Sequence, residues 1–61
     1  MPIVQIDMLE GRTLEQKRAM VAKVTEAIVE TADCKPEVVT IIIREMQAAN
    51  LGKAGKLRSD L

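Results

Sequence analysis

From Ile3 to Leu9 the side chains alternate in character. Val4, Ile6 and Met8 fall on one side of an extended chain, Gln5 and Asp7 on the other. A period of two predicts a strand. Gly11, in the run EGRT, breaks the alternation. Thr13 and Gln16 then stand at the spacing of a capping box, where each satisfies an amide of the other at a helix start. Met20, Val21, Val24, Ala27, Ile28 and Ala32 recur at helical spacing, while Gln16, Lys17, Lys23, Glu26 and Glu30 fall largely elsewhere. This predicts an amphipathic helix with one stripe packed on something flat. Lys35 precedes Pro36 and is pushed out of helical geometry, so DCKPE is expected to end the helix. Val38 to Ile43 is almost continuously apolar and β-branched, as in a parallel strand covered on both faces. Asn50 to Lys56 carries two glycines and suggests a short hairpin.

The pattern therefore predicts an α/β (α+β) fold: a βαβ unit with two parallel strands, one long helix and a C-terminal hairpin. A right-handed crossover is expected. Residues 1–61 read as a single domain, with no repeat or low-complexity tract. One helix covers only one face of a two-stranded sheet, so the other face is expected to meet another copy of the chain.

Composition sharpens that expectation. A chain of 61 residues is marginal alone, and such chains usually add disulfides, a metal or partner subunits. The single cysteine, Cys34, cannot form an intrachain disulfide, and there is no histidine and no aromatic residue. With 48% of the chain apolar, a homo-oligomer is the remaining route to burial. Nine basic and nine acidic side chains cancel, which argues against a nucleic-acid partner. No apolar run approaches the roughly 20 residues of a membrane span. The lone cysteine suggests a reducing, cytoplasmic setting.

Few residues offer chemistry. Cys34 has no evident activating base and reads as structural. The carboxylates show no paired spacing for acid/base work. Pro2 is different. It follows Met1 directly, and proline suits the first residue of a strand because it cannot donate to a ladder. If Met1 is removed, its ring nitrogen also becomes a free secondary amine. An α-amino group titrates near about 8, and desolvation or a nearby cation lowers that value. Such an amine would serve as a general base near neutrality. Arg12, between strand and helix, is the natural companion for a carboxylate substrate. On spacing alone it reads more readily as a surface cation beside a turn.

The run PIVQIDMLEGRTLEQKR resembles the start of the 4-oxalocrotonate tautomerase family, and the likeness continues through IIIREM and NLGKAG. It implies small βαβ subunits forming hexamers, as trimers of dimers, or related assemblies. It also implies cofactor-independent isomerisation of a small enol or keto acid, 2-hydroxymuconate-like, with no metal. Position by position, Pro2 matches the catalytic base and Arg12 the arginine that binds a substrate carboxylate. Leu9 matches a loop position whose backbone contacts substrate. Thr40 stands where well-studied members carry a second arginine, and Leu51 where they carry an aromatic wall. The uncharged Thr40 implies that a diacid gains less from its second carboxylate than in two-arginine members. Arg44, on the Thr40 face, would be the first substitute to consider. Dehalogenation or hydration of an unsaturated acid is the neighbouring alternative, and a non-catalytic oligomer the alternative from another class.

Overall fold

A computed structural model describes all 61 residues. Strand β1 spans Ile3–Leu9, helix α1 Leu14–Ala32 and strand β2 Thr40–Met46; a hairpin follows, β3 Gly52–Lys53 and β4 Lys56–Leu57. β1 and β2 pair in parallel, with Ile3 opposite Thr40 and Leu9 opposite Met46. This is the expected βαβ unit. The hairpin forms a separate antiparallel pair, Gly52 opposite Leu57 and Lys53 opposite Lys56.

The helix start is as expected. The Thr13 hydroxyl accepts from the Gln16 amide at 3.1 Å, and the Gln16 side chain accepts from the Thr13 amide at 2.9 Å. Its end falls at DCKPE, as expected, but by a different device. The helix stops with Asp33 in the left-handed region, φ 52°, two residues before the residue that proline restricts. Asx residues tolerate that conformation better than most. Pro36 instead opens a single 3-10 turn over Pro36–Val38. That turn displaces the start of the second strand. Val38 and Val39 donate to the carbonyls of Lys35 and Pro36, so the ladder begins at Thr40 and runs on to Met46, not from Val38 to Ile43.

The helix lies over Val4, Ile6 and Met8 of β1 and the same face of β2, where Ile41 and Ile43 are half-buried. Its packed stripe is Met20, Val21, Val24, Thr25, Ile28 and Val29, whereas Ala27 and Ala32 are exposed. Lys17 joins the stripe's edge: its Nζ donates to Glu45 at 2.7 Å, tying the first turns of α1 to the end of β2. The opposite sheet face, with Ile3 and Ile42, faces outward at 57% and 36% exposure.

None of the 61 residues is buried in the isolated chain. Its surface is 4913 Å². A compact monomer of this mass would expose about 3,900 Å². The excess is of the order that one subunit hides in a standard interface, about 800 Å². The radius of gyration, 14.6 Å, tells the same story. About 10.5 Å is the expectation for a compact chain of this length.

Candidate active site

Pro2 stands immediately before β1 and is half-buried. Its carbonyl accepts the Thr40 amide at 3.1 Å, so the ladder is anchored through the oxygen and makes no demand on the ring nitrogen. Thr40, the first residue of β2, is exposed at the same end of the sheet. Met1 projects beyond, 87% exposed.

Arg12 is at the other end. β1 closes with the Glu10 amide donating to the Met46 carbonyl at 2.8 Å. Gly11 then takes φ +122°, where a side chain is strained, and turns the chain towards the helix. Thr13 caps that helix, so Arg12 is held between a glycine hinge and a fixed cap. It lines a cavity of about 200 Å³ with Met8, Gln16, Lys17 and Met20. Lys17 is neutralised by Glu45, but Arg12 forms no ion pair. The guanidinium is therefore the free cation of this cavity, bordered by two methionines.

Leu9 and Leu51 come together in a second cavity, of about 130 Å³. The Arg58 amide donates to the Leu51 carbonyl at 2.8 Å and folds the tail back over β1's end. Lys53, Lys56 and Arg58 share this cavity. Reading the sequence missed all three. The available signal was GKAGK, in which two lysines flank a two-residue turn and so face one another across it.

The five expected site residues thus fall into two groups. Pro2 and Thr40 lie at one end of the sheet, and Leu9, Arg12 and Leu51 at the other. The seven residues of β1 separate them by about 23 Å at about 3.3 Å per residue. Within one chain Arg12 is not beside Pro2, contrary to the simplest reading of the sequence. Arg44 does not take the Thr40 position either. It sits opposite Asp7 in the register and donates to the Gln5 side chain at 3.2 Å.

Residues 2–61, nearly the whole chain, match the model of a family described as tautomerase enzyme. The chain belongs to the tautomerase family. This tautomerase is 49% identical over 61 residues to the 2-hydroxymuconate tautomerase of Bacillus subtilis, covering 100% of this chain and 98% of the relative. Its fold superposes with a TM-score of 0.94 on the crystal structure of YwhB, a homologue of 4-oxalocrotonate tautomerase, at 48% identity and 98% coverage of both chains. A heterohexamer 4-oxalocrotonate tautomerase from Chloroflexus aurantiacus superposes with a TM-score of 0.94 at 30% identity, covering 100% of this chain and 98% of that one. The expected fold and family are borne out. The chain is an enzyme of the tautomerase type, which sets aside the non-catalytic alternative.

Proposed function

We propose that this tautomerase isomerises a small enol or keto acid, 2-hydroxymuconate-like, with Pro2 as general base after removal of Met1. The amine accepts a proton from one atom of the substrate and returns it to another. The base is regenerated and no electron leaves the substrate, so the step needs neither metal nor organic cofactor. Met1 matters because an amide nitrogen has no useful basicity. The observation that carries the reading is the Pro2 nitrogen, which lies outside the strand ladder while its carbonyl is held by Thr40. The name of the Bacillus subtilis relative supports the substrate class.

The two-ended arrangement calls for a second subunit. The uncovered sheet face is the natural place for it. Antiparallel docking of two such faces carries the Arg12 end of one subunit to the Pro2 end of its partner. Arg12 then grips a substrate carboxylate, the Leu9 backbone and Leu51 wall the site, and Thr40 supplies a hydroxyl beside the base. A homohexamer, as a trimer of dimers, is the assembly we favour, and the Chloroflexus heterohexamer supports it. In this reading residues 1–61 act as one domain that copies complete, and the enzyme works in the cytoplasm, where Cys34 stays reduced.

The decisive experiment uses samples of verified intact mass. Protein lacking Met1 should turn over an enol acid, with kcat/KM rising with pH as the amine loses its proton. Pro2→Ala keeps an amine of different basicity and should lower activity without removing it. One extra residue before Pro2 should abolish it. Full activity in a sample that stoichiometrically retains Met1 would sink the mechanism.

A further inference from the structure

We propose that the C-terminal hairpin carries a carboxylate-binding subsite, formed by Lys53, Lys56 and Arg58 over Leu9 and Leu51, that recognises the second carboxylate of a diacid substrate. The inference rests on the proposed reaction for its substrate class, and on the hairpin for its geometry.

Lys53 and Lys56 are directly opposite in the register of β3 and β4. Like charges in that relation destabilise a strand pair. Here the turn between them has only two residues, Ala54 and Gly55, both at positive φ, so the strands cannot splay. Arg58 adds a third cation two residues on, held by its backbone bond to Leu51. None of the three forms an ion pair, and the carboxylates nearest in the chain are those of Asp60 and the Leu61 terminus. The two ion pairs, Lys17–Glu45 and Arg18–Glu15, are elsewhere, and Asp60 in the same terminal turn pairs with none of the three. Three exposed cations without an ion pair around one cavity make it a favourable place for an anion.

The cavity also fixes the kind of anion. Leu9, Leu51 and Leu61 line it with hydrocarbon, which favours an anion attached to a carbon chain over a bare inorganic ion. Its volume, about 130 Å³, is well below the roughly 300 Å³ at which whole-ligand sites begin. In the single subunit it has room for one end of a molecule, with the rest continuing towards the base of the partner. Arg58 offers the planar fork that binds a carboxylate bidentately, and the lysines add point charges. Thr40 and Arg44 leave the second carboxylate without a partner on β2; the hairpin supplies one. A diacid should then be preferred over a monoacid despite the uncharged Thr40.

The test uses Met1-free enzyme and two readouts. In the first, adipate and hexanoate are titrated while the methyl resonances of Leu9 and Leu51 are followed by NMR. Adipate should shift them, and hexanoate should bind several-fold more weakly. In the second, kcat/KM is measured for matched diacid and monoacid enols. The triple variant Lys53→Gln, Lys56→Gln and Arg58→Gln should lower the diacid-over-monoacid preference about ten- to a hundredfold, the range for losing charge-assisted contacts. If the triple variant fails to assemble, Lys53→Gln and Lys56→Gln singly should each lower it several-fold. Raised salt should erode the preference in wild type and not in the variants. An unchanged preference, with adipate binding equally to wild type and variants, overturns the subsite and leaves the proline mechanism standing. Adipate shifting the leucine methyls of a protein that turns over no enol acid supports the subsite and overturns the proposed reaction.

Discussion

Arg12 owes its position to two neighbours of opposite character. Gly11 supplies a backbone angle that side chains resist, and a Cβ there would meet nothing within 4 Å, so the glycine is required by conformation and not by crowding. Thr13 supplies the fixed cap. The guanidinium between them has no internal ion pair to break, which suits the carboxylate-binding role proposed for it. Arg12→Ala should therefore lower kcat/KM on a carboxylate substrate by about one to two decades, the cost of a charge-assisted contact. Steady-state kinetics on enzyme of unchanged assembly state check this. A fall confined to monoacids, with diacids unaffected, would instead assign primary carboxylate recognition to the hairpin cations.

At the scale of elements, the helix and the hairpin are built with unequal care. The capping box of α1 is complete on both sides. Thr13→Ala removes its acceptor and should cost about 1 kcal/mol, read as a lower denaturation midpoint at fixed protein concentration. The hairpin turn is less well served. Ala54 holds φ 54° in a turn whose first central position favours Asn. Ala54→Asn should stabilise the protein by about 0.5–1 kcal/mol, seen as increased amide protection across Gly52–Leu57. An unchanged exchange rate would show that the assembly, and not the turn, holds the hairpin. The capping box and both main strands were legible because each depends on residues a few positions apart. The boundary at Thr40 was not. It was decided by a 3-10 turn that Pro36 opens and two backbone bonds complete, and the β-branched run reads the same on either side of it.

The whole molecule is a slab of 42 × 24 × 13 Å with one clothed face and one bare one. Its surplus surface of about 1,000 Å² is too large to leave in water for a chain with no buried residue. Sedimentation should show an assembled species at micromolar concentration, and the denaturation midpoint should rise with protein concentration. Ile42→Asp, on the bare face, should shift that equilibrium towards smaller species and lower activity in parallel. A folded, active Ile42→Asp monomer would refute the shared site.

What the sequence by itself determined is local. Period two, period 3.6, the cap and the glycine hinge each follow from neighbours along the chain, and together they dictate two strands, a helix and their order. The resemblance of the opening run marked Pro2 and Arg12 for the same reason, since motif spacing is a local property. Distance between the marked residues is not local. Only the tertiary structure showed that β1 holds Pro2 and Arg12 apart, because a strand is extended and its rise accumulates with every residue. The run GKAGK already carried the facing of Lys53 and Lys56, but only the fold-back from Arg58 to Leu51 enclosed them with Leu9. Charges far apart in character from any motif acquire meaning when backbone pairing forces them together and leaves them no counter-ion.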